Sequence, residues 1–215
     1  MKYYPVSLNI EGKKAVIVGG GTVAARKAGE LLRCGASVTV ISPEISDELK
    51  ELIEENKERV ALLKREYKEG DLKGSFLAFG ATDSSTVNTA VRDEAQMLGI
   101  SVNIIDDPES GDFIVNGSRE IGDLSWFIST NGKSPAMTVR LNREFENILP
   151  HGIDVILEKL GVCRDILKND TAFGTLDSKD RGNLLRKISG SDELLGELKK
   201  LQGRKEIADF LKSLV

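Results

Sequence analysis

Residues 14–41 read KAVIVGGGTVAARKAGELLRCGASVTVI, and this stretch decides the fold. The run Val16-Ile17-Val18 is continuous and β-branched, as expected of a strand covered by helices on both faces. Three glycines, Gly19, Gly20 and Gly21, interrupt it, and TVAARKAGELLRC then follows a helical period before SVTVI opens a second β-branched run. That is a βαβ unit, and the same alternation continues through SDELKELIEEN, VALLKRE, SFLAFGA, SSTVNTAVRDEAQML and ISVNII. The pattern predicts an α/β domain over 1–113, a Rossmann-type doubly wound parallel sheet. From Asp112 the texture changes: FIVNGSREIGDLSWFISTNG has no helical period and predicts two shorter strands. SPAMTVRLNREFENIL resumes a helix with Ser134 as N-cap and Pro135 at its first position. Residues 114–150 therefore form a small α+β segment. Residues 151–215 hold only helical patterns, broken at Gly174, Gly190 and Gly203, and form a helical C-terminal domain in which the polar stretch 169–192 reads as a mobile connection.

Composition narrows the function classes. With 30 Lys+Arg against 34 Asp+Glu in 215 residues, the net charge of −4 lacks the basic footprint of a nucleic-acid binder. The start, MKYYPVSLNIEGKK, has no apolar signal core, and no 18-residue apolar run follows, so the reading is a cytoplasmic chain with no membrane partner. Cys34 and Cys163 cannot build a thiolate cage alone, and one histidine, His151, excludes a His-rich metal centre, so no metal site is expected.

The glycine triplet with its flanks is a G-x-G-x-x-A fingerprint, Gly19 to Ala24, led in by a strand and out by a helix. Gly19 permits the tight turn, Gly21 lets backbone approach a pyrophosphate, and Ala24 lets the helix sit close on the sheet. The helix N-terminus supplies free N–H groups and a partial positive charge. A Rossmann-like domain without a ligand is the bland alternative. Where an acid usually grips the adenine ribose, the second strand ends Ile41-Ser42-Pro43-Glu44. Ser42 offers a weaker contact and Glu44 comes two residues late, while no Lys or Arg follows directly to hold a 2′-phosphate. The cofactor reading is accordingly NAD over NADP. At the end of the fourth strand, Ala81, Thr82 and Asp83 are small residues where a nicotinamide half would lie, although Asp83 or Ser84 would equally serve as a helix cap.

The fifth strand ends VNIIDDPESGDF, bringing Asn103, Asp106 and Asp107 to the same carboxyl edge. Adjacent acids point oppositely in a strand, so one of the pair faces the site as a candidate general base, and a turn aspartate before Pro108 is the competing role. Further on, Thr130, Lys133, Ser134 and Arg140 surround a second helix N-terminus suited to anionic substrate groups, where a solvated basic face is the alternative for Arg140 and Arg143.

Taken in order, Pro5 before SLNIEGKKAVIVGGGTVAARK, then SVTVISPE, GATDSSTVN, VNIIDDPESGDFIVNG and ISTNGKSPAM, the sequence resembles the precorrin-2 dehydrogenase/sirohydrochlorin ferrochelatase family, which includes the N-terminal region of siroheme synthase. The resemblance is dense over residues 3–150 and loose beyond. It implies oxidation of precorrin-2 to sirohydrochlorin with NAD, in a homodimer joined through about 114–150. It also implies Asp106 as the essential carboxylate and nucleotide contacts at Thr22, Val23, Pro43 and Glu44. Relatives with a phosphoserine in the ST-G-SP turn align it with Thr130.

Where many relatives read FIxPA, this chain has Phe113-Ile114-Val115-Asn116-Gly117. No methyltransferase segment follows, so precorrin-2 is expected to be made elsewhere. Dehydrogenase activity alone is favoured over a bifunctional enzyme that also inserts ferrous or cobalt ion. A NAD-sensing regulatory module would account for the glycine loop but not for VNIIDDP or ISTNGKSP, and a structural dimer with a vestigial nucleotide site is the remaining alternative.

Overall fold

The structure, a computed structural model, describes residues 3–105 and 107–215, which fall into two compact units, Met1–Val115 and Asn116–Val215. In the first, strands β1 (Lys14–Val18), β2 (Ser37–Ile41), β3 (Val60–Leu63), β4 (Leu77–Gly80) and β5 (Ser101–Ile104) pair in the order β3-β2-β1-β4-β5. Every pair is parallel. Helices α1 (Thr22–Arg33), α2 (Asp47–Glu55) and α3 (Ser85–Leu98) connect them. The β-branched runs are continuous because both faces of the sheet are covered. Ala15 and Ile17 pack with Ala24, Ala28 and Leu49 on one side, while Val16 and Val18 pack with Leu72, Val91 and Ala95 on the other. This is the Rossmann-type sheet that the sequence pattern predicts. Strand order reverses at β1, whose neighbours β2 and β4 are entered from opposite directions, so the crevice at the carboxyl ends of β1 and β4 is the place for a ligand.

The crossover from β3 to β4 carries no helix. Residues 64–76 cover that part of the sheet with the fully buried Leu72 and the half-buried Tyr67, and polar contacts fix the loop. Arg65 forks onto Asp71 through Nη1 at 2.7 Å and Nη2 at 2.6 Å. The Arg65 guanidinium holds the Asp71 carboxyl below its ordinary range. Deeper in, the α3 carboxylate of Glu94, only 4% exposed, accepts from the Gly70 N–H at 3.0 Å, the Leu72 N–H at 3.2 Å and the Tyr67 hydroxyl. Burial, together with that carboxylate, pushes the Tyr67 phenol above its usual range.

The second unit begins with a hairpin, β6 (Gly117–Ile121) and β7 (Leu124–Ile128), antiparallel and joined through Gly122 at φ +55°. These are the two short strands expected. Helix α4 (Pro135–Ile148) follows, capped by the Ser134 hydroxyl on the Met137 N–H at 3.2 Å, with Pro135 at its start. Beyond it run α5 (Ile153–Asn169), α6 (Ser178–Ser189), α7 (Asp192–Lys200) and α8 (Gly203–Ser213), around a core of Cys163, Ile166, Ile188, Leu198 and Leu211. Burial pushes the Cys163 thiol up to about 11, which makes it a packing residue and not a nucleophile. The stretch 169–192 differs from the sequence reading. It is built of a 3-10 turn, Thr171–Phe173, and helix α6, because Phe173, Leu184 and Ile188 are buried in the helical core and Asp177 caps α6 at 2.8 Å. Polar composition hid the few apolar residues that anchor it. No helix among the described residues is long and apolar enough to cross a membrane.

Replacing Glu94 by alanine strips two backbone N–H groups and a phenol of their acceptor in a buried place. We expect urea denaturation to show a loss of about 3 kcal/mol, the scale for breaking a buried charged network. A loss under about 1 kcal/mol would mean that apolar packing of Leu72 suffices to hold the loop.

Candidate active site

The glycine turn shows which of its members the chain itself requires. Gly19 has φ +127°, and a Cβ there would lie 2.2 Å from the Ala81 carbonyl oxygen; one on Gly20 would lie 2.0 Å from the Glu44 carbonyl oxygen. Both are therefore demanded by backbone packing against the exits of β4 and β2. Gly21 differs: its φ is −78°, and a Cβ would meet nothing within 4 Å. The open space over Gly21 is room that a ligand could use. Gly21 is also the N-cap of α1, with no side-chain cap and no acid in the first turn. The first closed helical bond is Ala25 N–H to the Gly21 carbonyl at 3.0 Å, so the N–H groups of Thr22, Val23 and Ala24 precede the ladder and stay available. Free donors, the positive end of a helix and an empty cradle together fit a dinucleotide pyrophosphate. The sequence reading assigned Gly19, Gly21 and Ala24 their roles but missed Gly20, whose contact with the β2 exit is nonlocal.

On the β2 side, Ser42 is buried and its hydroxyl donates to the Glu44 carbonyl at 2.6 Å. Its proton is thus spent on shaping the turn. Ser46 N–H donates to the Gly20 carbonyl at 2.8 Å, which laces this loop to the glycine turn. Pro43 and Glu44 are exposed beside it, and the Glu44 side chain has no partner among the described residues. The following residues, ISDE, contribute no cation.

On the β4 side, a residue not singled out in the sequence organises the loop. Asn88 of α3, 7% exposed, donates from Nδ2 to the Thr82 carbonyl at 2.8 Å. Its Oδ1 accepts from the Thr82 N–H at 3.2 Å and the Thr82 hydroxyl at 2.8 Å. The only signal for it in the sequence is an Asn one turn into a helix on its inner face. Ser84, not Asp83, caps α3 through the Val87 N–H at 3.3 Å, which leaves the exposed Asp83 outside that role.

At the edge strand β5, Asn103 is buried and its Nδ2 donates to the Phe113 carbonyl at 2.8 Å, while Phe113 meets Phe79 edge-on at 5.5 Å. Asp112 covers the open edge: its carboxylate accepts from the Val102 N–H at 3.0 Å, and its own N–H donates to the Val102 carbonyl at 2.8 Å. Asp107 accepts from the Ser110 hydroxyl across the 3-10 turn Pro108–Ser110. Asp106 lies outside the described residues. Between α3 and this turn opens a cleft of about 250 Å³, lined among others by Thr82, Asp83, Asn88, Arg92 and Asp107.

Thr130, Lys133, Ser134 and Arg140 belong to the second unit. Thr130 and Ser134 come together: the Thr130 hydroxyl accepts from the Ser134 N–H at 3.1 Å and lies 3.2 Å from its carbonyl, completing the turn at Asn131 and Gly132. Lys133 and Arg140 are exposed, and Arg140 pairs with Glu144 at 2.7 Å along the same helix. No group of three or more His, Cys, Asp or Glu among the described residues could hold a metal.

Comparison with known proteins agrees with this geometry. Residues 6–117 match the family described as "Putative NAD(P)-binding". Siroheme synthase 2 of Aeromonas salmonicida is 34% identical over 201 residues, covering 93% of this chain and 40% of its own length. Siroheme synthase of Psychrobacter cryohalolentis is 34% identical over 168 residues, covering 78% of this chain and 32% of its own length. The chain thus spans well under half of these relatives. Among solved structures, SirC, precorrin-2 dehydrogenase, is similar at 26% identity with a TM-score of 0.76, covering 99% of this chain and 98% of that one. With a glycine turn and an open helix N-terminus at the switch point of a parallel sheet, the chain belongs to the NAD(P)-binding family whose match spans residues 6–117.

Proposed function

We propose that the protein is a cytoplasmic, NAD-dependent dehydrogenase that oxidises precorrin-2 to sirohydrochlorin. The observation that carries this reading is the similarity of nearly the whole chain, both units included, to a precorrin-2 dehydrogenase structure. The open cradle over Gly21 supports it independently. NAD, when bound, supplies the acceptor for the hydride that leaves a carbon of the tetrapyrrole.

The chain's own part is to bind, orient and take the proton. The N–H groups opening α1 receive the pyrophosphate. Glu44 is free to accept from the ribose hydroxyls, and as an anion without a neighbouring cation it opposes a 2′-phosphate, which favours NAD over NADP. Thr82, fixed by Asn88, holds the β4 loop open for the nicotinamide half beside Ala81 and Asp83. Loss of a hydride leaves a cation whose neighbouring proton must go to a base. Asp106 is the proposed base, and it passes the proton on to water. Asn103 contributes by holding the segment after β5 in place.

We assign residues 114–150 to a homodimer contact. On α4, Met137, Leu141, Phe145 and Ile148 fall on one helical face and are 43%, 37%, 37% and 75% exposed; Phe145 rests one side of its ring on Trp126 at 5.3 Å between centroids, and the rest of this apolar stripe lies open. A second copy of the chain would bury it by an isologous contact.

Gly21→Asp places bulk and negative charge in the cradle without clashing with the chain. Calorimetry should show NAD binding abolished in a folded protein, and unchanged affinity would remove the pyrophosphate from this turn. Asp106→Asn should keep NAD binding while turnover of precorrin-2 falls at least ~100-fold. Asp107→Asn should cost little, since that carboxylate serves a turn, and equal behaviour of the two variants would move the base elsewhere. Light scattering should give about twice 23.5 kDa, and Leu141→Glu should shift the protein toward the monomer; a wild-type monomer with full activity would contradict the interface.

A further inference from the structure

The cleft beside the β4 exit is not uniform in charge. Ser85, Asn88, Thr89 and Arg92 all line it, and their spacing places them on one face of α3. Asp83, just before the helix, and Asp107, just after β5, bring carboxylates to the sheet edge, whereas Arg92 lies about 10 Å further along the helix axis than Ser85. Among the described residues Arg92 is the single cation lining the cleft. Its Nε and Nη2 both donate to one oxygen of Asp93, at 2.8 and 2.7 Å, which leaves Nη1 without a partner among the described residues. The side chain is 30% exposed, partly desolvated yet open to a ligand.

We propose that Arg92 is a specificity-determining residue that receives a rim carboxylate of the tetrapyrrole, an inference that rests on the substrate reading above. A precorrin ring has two electrostatic regions. Its reacting carbons become electron-poor when hydride leaves, while its rim carries acetate and propionate arms that are anionic at neutral pH. The cleft is sorted in the same sense: carboxylates at the sheet edge, where the oxidised carbons must lie, and a guanidinium two helical turns away, within reach of an arm. Hydroxyls of Ser85 and Thr89 lie between as neutral donors. A ring presented the other way would set its carboxylates against Asp83 and Asp107, so the same arrangement also selects orientation.

The test titrates sirohydrochlorin, the reaction product, into the full-length protein by absorbance, beside steady-state oxidation of precorrin-2. Arg92→Gln should weaken sirohydrochlorin binding about tenfold, the scale of one charge-assisted hydrogen bond at a partly exposed site. It should raise KM for precorrin-2 to match and leave kcat and NAD affinity unchanged. Arg92→Lys should recover part of the loss. Asp93→Asn should bind as tightly as wild type or tighter, because it frees the guanidinium. Thr89→Glu, which sets an anion beside Arg92 without altering it, should weaken binding as Arg92→Gln does and keeps the test open if that variant does not fold. Wild-type affinity in both Arg92→Gln and Thr89→Glu overturns the proposal, as does equal weakening by Arg92→Gln and Asp93→Asn, which would make the ion pair merely structural. A wild-type protein that neither binds sirohydrochlorin nor oxidises precorrin-2 would instead bring down the substrate reading, and this subsite with it.

Discussion

Backbone against backbone, without side chains between, is the constraint on which the site depends. At the β1 exit, Gly19 presses on Ala81 and Gly20 on Glu44, so the ends of three strands meet with no space for a Cβ. The same residues bond to one another: the Gly19 N–H reaches the Ile41 carbonyl at 2.9 Å, and the Ala81 N–H reaches the Val18 carbonyl at 2.8 Å. That junction sets where α1 begins and which way its N-terminus points. It also makes the 42–46 and 81–84 loops the two walls of the crevice. Gly21 is the exception: a Cβ there would meet nothing within 4 Å, so the chain's own packing does not demand a glycine at this position.

Helix α3 carries three duties. Val87, Val91 and Ala95 enter the core; Ser85, Thr89 and Arg92 line the cleft; Glu94 receives the crossover loop. In an ordinary doubly wound sheet a helix would cover the ground between β3 and β4. Here a loop does so, and its backbone donors, which a helix would have satisfied internally, need an outside acceptor. Glu94 is that acceptor. A buried carboxylate is costly unless saturated with donors, and two N–H groups and a phenol meet that demand.

The fold was legible because its signals are local and repeated: β-branched runs with period-appropriate helices between them, punctuated by glycines, leave few topologies open. The glycine turn was legible for the same reason, as strand, turn and helix are contiguous in sequence. What escaped were polar residues whose work depends on distant partners. Asn88 braces Thr82, Glu94 serves Gly70 and Leu72, and Asp112 covers the β5 edge at Val102. Nothing in a single sequence distinguishes such residues from surface polar ones, since burial is a property of the whole fold. Helix α6 escaped for a related reason, as a mostly polar segment is held by the few residues that reach the core of other helices.

The acids after β5 illustrate how far type and spacing alone can mislead. Asp107 and Asp112 stand within the same few residues and carry the same group, yet each is committed to a different local task, one accepting from a hydroxyl across a turn and the other from an edge-strand N–H. An unpaired N–H on an edge strand invites another chain, and Asp112 removes that invitation with its own backbone and carboxylate together. The strand's side is thereby closed to pairing, while the cleft lined by Ile104 and Asp107 opens beside its carboxyl end. For the tetrapyrrole and dinucleotide proposed above, that separation matters, because an edge left available for association would compete with the substrate for the same border of the sheet.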